Sequence, residues 1–127
     1  IPGMIKQGEG GRIITIISDA GRVGEPHIAV YSAAKAGASG LMRALAKALG
    51  RYNITANSVA IAATRTPAIE GRLDDEERLK KMLRNYVIRR VGEPSDVANM
   101  VLFLASESSS WITGQTYPVN GGYSFSM

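Results

Sequence analysis

Apolar positions along this chain fall into continuous runs and helically spaced ones. Arg12-Ile13-Ile14-Thr15-Ile16-Ile17-Ser18 is a nearly unbroken β-branched stretch that follows the turn-forming Gly8-Glu9-Gly10-Gly11. A continuous run of this kind predicts a strand covered on both faces, as in parallel sheets layered with helices; half-exposed antiparallel strands alternate instead. Ile54-Thr55-Ala56-Asn57-Ser58-Val59-Ala60 is less apolar and reads as a second strand. Between the two, the alanine-rich segment 28–50 has the composition of a long helix, and the order strand, helix, strand implies a right-handed crossover unit.

Beyond a polar stretch that opens at Thr64, Asp74 to Arg84 reads as a short helix with its acids first and its bases last. Asp74 with Glu77 resembles a capping box, and Glu76 with Lys80 and Glu77 with Lys81 are favourable pairs. This charge run is read as a solvated helix face, with Arg89 and Arg90 left as contacts for an acidic carrier. Pro94 suits the first turn of another packed helix, in which Val97, Val101, Leu104 and Ala105 recur at helical spacing. Gly114 to Gly122 offers a short strand ending in a glycine turn. The sum is an α/β chain of three strands alternating with helices, half of a doubly wound parallel sheet, forming a single partial domain over residues 1–127. A dinucleotide-binding domain should open with a strand and a glycine-rich turn leading into a helix. Gly8 to Gly11 precedes a strand and so reads as a plain turn. The strand at Arg12 to Ser18 should therefore present an open apolar edge, so the chain is expected either to be part of a longer protein or to be rescued by complementation or self-association, the first being favoured.

Composition narrows the chemistry. With 127 residues and 45% hydrophobic content the chain suits one globular unit with a real core. Cysteine is absent and His27 is the single histidine, which leaves neither a disulfide framework nor a thiolate or histidine metal site; no metal is expected. The apolar stretches are far shorter than the roughly 18 residues that a membrane-crossing helix needs. No membrane partner is expected, and the cytoplasm is the default location. The net charge of +4 is small, aromatics are 6%, and bases are mixed with acids, so nucleic acid is not the expected partner. The excess suits acidic small partners such as phosphorylated cofactors or acyl carriers.

Tyr31 and Lys35 stand four residues apart in Val30-Tyr31-Ser32-Ala33-Ala34-Lys35-Ala36-Gly37, and Ser18 closes the apolar run thirteen residues before the tyrosine. On a helix, positions four apart stack on one face, which puts the ammonium one turn from the phenol. A cation within roughly 4 to 6 Å favours phenolate, and so brings a group that titrates near pH 10 closer to usable acid or base chemistry. Taken singly, each residue has a plainer role: Ser18 bonding backbone at a strand end, Tyr31 packing in a core, Lys35 exposed on a helix. His27 reads as a loop spacer and Trp111 as an anchor for the last strand.

With these residues laid out, the chain resembles the short-chain dehydrogenase/reductase family, in the group that includes 3-oxoacyl-[acyl-carrier-protein] reductases. The resemblance covers nearly all of the chain. It rests on the ordered set Gly11 to Ser18, Tyr31-Ser32-Ala33-Ala34-Lys35-Ala36-Gly37, Asn53 to Val59, Arg90-Val91-Gly92-Glu93-Pro94-Ser95-Asp96-Val97-Ala98, and Ile112-Thr113-Gly114-Gln115-Thr116 through Asn120-Gly121-Gly122. It implies a Rossmann-like doubly wound parallel sheet, here the C-terminal half with the last three strands and their helices, the N-terminal glycine-loop half being absent. By the same resemblance Tyr31 is the general acid that protonates a carbonyl oxygen as hydride arrives, and Ser18 hydrogen-bonds that oxygen. Lys35 would lower the tyrosine pKa and hold the nicotinamide ribose. Backbone near Thr64 and the hydroxyl of Thr66 would hold the nicotinamide carboxamide. Where the family usually has Pro-Gly this chain has Ile61-Ala62, which restricts the backbone there.

The implied activity is NADP- or NAD-dependent interconversion of a carbonyl and a secondary alcohol. The implied substrate is a 3-oxoacyl thioester on acyl carrier protein or CoA, as in fatty acid biosynthesis, and the implied assembly a homo-oligomer, tetramer or dimer. Other substrates of the family type, a CoA ester, sugar or steroid, stay open. So does a non-catalytic oligomerisation module built on the alanine- and glycine-rich face from Ala34 to Leu49.

Overall fold

Three parallel strands, β1 (Gly11–Ser18), β2 (Ile54–Ile61) and β3 (Thr116–Val119), form one sheet in that spatial order in the computed structural model, which describes residues 1–67 and 69–125. The helices are α1 (Pro2–Gln7), α2 (Ala20–Val23), α3 (Ala29–Leu49), α4 (Glu70–Leu73), α5 (Glu76–Leu83) and α6 (Pro94–Ala105). Among the described residues no helix is long and apolar enough to cross a membrane.

The register runs from Gly11 opposite Ile54 to Ser18 opposite Ile61, and from Ser58 opposite Thr116 to Ile61 opposite Val119. Ser18, Ile61 and Val119 therefore end level on one rim, the carboxyl rim where open parallel sheets bind ligands. Every residue of β2 from Ile54 to Ala60 is buried. Since alternate residues of a strand face opposite ways, both faces of β2 are covered, and α3 and α6 supply that cover. α3 buries Ser39, Met42, Ala46 and Leu49, one stripe at helical spacing, and Met42 and Ala46 cluster with Ala56 of β2. β1 is less covered than its sequence predicts: only Ile17 is buried and Ile16 is 40% exposed. Among the described residues its backbone pairs with β2 alone, at the edge of the three-stranded sheet.

Local chemistry sets the helix ends. α5 is capped by Asp75, whose Oδ1 accepts the Arg78 N–H at 3.0 Å, one residue later than the Asp74 cap that the sequence suggests. Lys80 reaches both Glu76 and Glu77 on the solvated face. α6 starts at Pro94, and Asp96 Oδ2 accepts the Glu93 N–H at 2.7 Å. Its buried residue is Leu104, while Ala105, expected on the packed face, is exposed.

Trp111 corrects the sequence reading outright: it is 99% exposed and anchors nothing. The lead-in to β3 is held from inside by Asn57 instead. Asn57 Nδ2 donates to the Ile112 carbonyl at 2.9 Å and its Oδ1 accepts the Gln115 N–H at 3.0 Å. Thr113 Oγ1 and the Gly114 N–H complete the attachment to Ala56. With its backbone fastened to β2, this loop leaves the indole free to point outward.

Candidate active site

Ser18 ends β1 on the carboxyl rim. Its Oγ accepts the Ala20 N–H at 3.2 Å, the strand-end bond of the plainer reading, and this still leaves its own proton to donate. Tyr31 lies in the first turn of α3. The chain enters that helix through His27 at φ 68°, a left-handed conformation that histidine tolerates better than bulkier residues. Tyr31 is 46% exposed, and one turn on, Lys35 Nζ lies 5.5 Å from its ring centroid and 3.5 Å from the Ile16 carbonyl oxygen. The ammonium is thus wedged between the tyrosine ring and the β1 backbone.

Ser18, Tyr31, Thr64 and Thr66 line one cavity of about 510 Å³. Four of the five residues singled out in the sequence therefore meet there. Lys35 is not on its wall; it stands behind Tyr31. The far wall is mostly apolar, with Ile69, Leu73, Leu79 and Met82, and Arg78 is its one cation among the described residues.

The loop after β2 is pinned at successive backbone groups. The Ile61 carbonyl accepts from Asp19 N–H at 2.9 Å, the Ala63 carbonyl from Gly92 N–H at 3.0 Å, and Arg65 N–H donates to the Gly92 carbonyl at 2.8 Å. Ala63 N–H donates to the phenol oxygen of Tyr86 at 3.1 Å. The parallel bridge between Thr64 and Gly92 thus uses the groups on either side of Thr64. Thr64's own N–H and C=O have no partner among the described residues, while its hydroxyl turns back to the Ala62 carbonyl. Ala62 is not among the described residues with positive φ, so alanine at this position does not strain the turn.

Sequence reasoning missed what supports this rim. Buried Asp19, next to Ser18, accepts from Arg22 Nη1 at 2.6 Å, Asn120 Nδ2 at 2.5 Å and Ser124 Oγ at 3.0 Å, so the turn after β3 is fastened to the end of β1. Tyr86 is buried, its ring 5.2 Å from that of Tyr123, and Tyr123 O–H donates to Glu25. Burial, above all, pushes the Tyr86 phenol up; the bond to Glu25, above all, pushes Tyr123 up to about 12. Arg90, read from sequence as a carrier contact, is committed to a two-pronged pair with Asp96 at 2.7 and 2.9 Å, which holds the Asp96 carboxyl down at about 2. A lone tyrosine between Asn85 and Val87 gives no sequence signal of its contacts.

The family model described as enoyl-(acyl carrier protein) reductase matches residues 1–124. An L-rhamnose-1-dehydrogenase of Scheffersomyces stipitis is 40% identical over 94% of this chain and 46% of its own length. The 7alpha-hydroxysteroid dehydrogenase of Escherichia coli K12 is 42% identical over 95% of this chain and 47% of its own. The 3-oxoacyl-[acyl-carrier-protein] reductase FabG of Staphylococcus epidermidis is also 42% identical, over 95% and 48%. The chain spans about half the length of the curated relatives it matches. Among solved structures, a short-chain type dehydrogenase/reductase from Mycobacterium ulcerans superposes with a TM-score of 0.90 at 31% identity, over 94% of this chain and 43% of that one. A protein described as a 2-deoxy-D-gluconate 3-dehydrogenase from Agrobacterium tumefaciens, with bound NADP, superposes at 0.89 with 28% identity, over 94% and 49%.

Proposed function

This chain belongs to the short-chain dehydrogenase/reductase family, and from that premise we propose that the protein carrying it is an NAD(P)-dependent oxidoreductase interconverting a carbonyl and a secondary alcohol. The observation that carries the reading is the meeting of Ser18, Tyr31, Thr64 and Thr66 on one cavity at the carboxyl rim, with the Lys35 ammonium behind the Tyr31 ring. A non-catalytic module has no use for that convergence.

The residues present fit a nicotinamide cofactor. Thr64, on the cavity wall, has an N–H and a C=O that no described residue engages, the complement of a carboxamide's acceptor and donor. Thr64 and Thr66 would hold that group and Lys35 the adjoining ribose, and the bound cofactor supplies the hydride. The Ser18 hydroxyl would donate a hydrogen bond to the substrate carbonyl oxygen, keeping its proton, while its lone pair stays on the Ala20 N–H. Tyr31 gives its phenolic proton to the same oxygen in reduction and takes it back in oxidation. Lys35, held between the ring and Ile16, supplies positive charge beneath the phenol.

For the substrate we favour a 3-oxoacyl thioester carried on acyl carrier protein or CoA, a step of fatty acid synthesis type. The apolar wall of Ile69, Leu73, Leu79 and Met82 suits an acyl chain and offers little to the hydroxyls of a sugar, while Arg78 suits a phosphate of the carrier arm. The reading goes with a cytoplasmic homo-oligomer, tetramer or dimer. It is supported by large apolar side chains in solvent on α3 and α6, Leu41 and Leu102 among them. The test is titration of the full-length protein with NADPH and NADH, followed by turnover of acetoacetyl thioesters beside a sugar and a hydroxysteroid. Cofactor binding with preferential reduction of the thioester is expected. Binding of neither nucleotide would overturn the oxidoreductase reading, and preference for the sugar or steroid would overturn the substrate.

A further inference from the structure

We infer that Tyr86 is a positioning residue for the nicotinamide end of the cofactor: its phenol oxygen holds the loop so that the free backbone pair of Thr64 faces the cavity. The inference rests on the oxidoreductase reading above. It starts from the pins on either side of Thr64. Gly92 fixes the Ala63 carbonyl and the Arg65 N–H, and both of those bonds lie on the Gly92 side of the loop. The Ala63 N–H is the remaining handle next to Thr64, and it is taken by Tyr86 at 3.1 Å. Without that acceptor a part-buried N–H would have to turn and find another, and Thr64, the next residue, would turn with it.

Tyr86 is well built for this task. Its ring is buried against Tyr123, whose own hydroxyl is fastened to Glu25, and Gly121 closes on the ring edge, where an added Cβ would stand 3.4 Å from a ring carbon. The next turn of chain is also tied, by the Ile88 N–H to the Gly121 carbonyl at 2.9 Å. The phenol thus sits at the end of a short rigid strut reaching from the segment after β1, through the turn after β3, to the loop after β2. Its burial keeps it a neutral acceptor at ordinary pH. Tyr86 lines a neighbouring cavity that shares Ala63 and Thr64 with this one, so it is close to the site without lining the cavity that holds Ser18 and Tyr31.

Tyr86→Phe keeps the ring and removes the acceptor. In the full-length protein, calorimetric titration with NAD(P)H and with the matching ADP-ribose, which lacks the nicotinamide, separates positioning from general support. The variant should bind the whole cofactor about tenfold more weakly and ADP-ribose with unchanged affinity. Tyr123→Phe, which loosens the strut but leaves the Ala63 bond, should show a smaller selective loss. Equal losses on both ligands, or no loss on either, overturn the inference and leave the oxidoreductase reading standing, because the wild type still binds. A wild type that binds neither ligand overturns both.

Discussion

Replacing Gly21 by alanine sets two effects of opposite sign against each other. Gly21 lies inside α2 and is not at positive φ, so propensity alone makes alanine more stable by roughly 0.5–1 kcal/mol. Packing says the reverse. A Cβ there would stand 2.7 Å from the carbonyl carbon and from the Cβ of Lys35, and 2.8 Å from the Ala36 nitrogen. Ordinary carbon contacts lie at about 3.5–4.0 Å, so close to 1 Å of separation has to be found. Neither helix can yield it freely: the obstacle on α3 is largely backbone, and α2 is tied through Arg22 to buried Asp19 and through the Ala20 N–H to Ser18. Overpacking of this sort costs about 1–3 kcal/mol, which offsets or exceeds the propensity gain and leaves a net loss of roughly 0–2.5 kcal/mol. Gly37, in α3 with nothing within 4 Å of an added Cβ, is the control and should show the propensity gain alone. Urea unfolding followed by circular dichroism measures both, provided the slope is unchanged. Because the clash falls on Lys35, turnover should fall with stability in Gly21→Ala and hold in Gly37→Ala. A Gly21→Ala protein as stable as Gly37→Ala would refute the close approach of the two helices.

Four further outcomes are expected. Tyr31→Phe should leave the unfolding midpoint unchanged and lower turnover by roughly 100-fold or more, the scale of lost acid catalysis; undiminished turnover would remove Tyr31 from the chemistry. Asp96 is held at about 2, below the usual carboxylate value near 3.9, so its ionised form stabilises the fold above that usual value and the contribution is lost as pH falls toward about 2. Asp96→Asn should therefore unfold at lower urea than wild type at neutral pH, with the gap closing below about pH 4; a gap independent of pH would contradict the Arg90 pairing. Tyr123 is raised to about 12, so its stabilisation is full below about pH 10 and is lost as pH climbs to about 12, a loss that melting curves of Tyr123→Phe should not show. Asn57→Ala strands the Ile112 carbonyl and the Gln115 N–H and should cost about 2–4 kcal/mol by urea unfolding, while a cost under about 0.5 would mean that water replaces the amide.

The elements that sequence disclosed are those whose signal is local and long. The isoleucine run gave β1 to within one residue of its start, and the alanine-rich segment 28–50 gave α3 to within one residue at either end. Tyr31 and Lys35 could be paired because helix geometry alone brings positions four apart together, and the structure keeps them one turn apart. What sequence could not disclose depends on partners far along the chain. The exposure of Ile16 follows from which strand ends up at the edge, and no window around Ile16 contains that. Trp111 looks like an anchor by residue type and is outside because Asn57, more than fifty residues earlier, already holds the loop. α2 and α4, four residues each, are too short to leave a periodic pattern. Asp19 and Tyr86 gain their meaning only when three strand ends meet, one through Asn120 and the other through Ala63.

The parallel ladder has a consequence for how the molecule is made. Gly11 pairs with Ile54 and Ser58 with Thr116, so each strand pairing closes a stretch of more than forty residues, and no hairpin joins the described strands to nucleate the sheet. Helix α3 can form in microseconds from its own sequence, whereas the ladders must wait for distant segments to find each other. During that interval the isoleucines of β1 lack their β2 neighbour and can join another nascent chain instead. Recovery after dilution from denaturant should accordingly fall as protein concentration rises, even under conditions where the finished fold is fully stable.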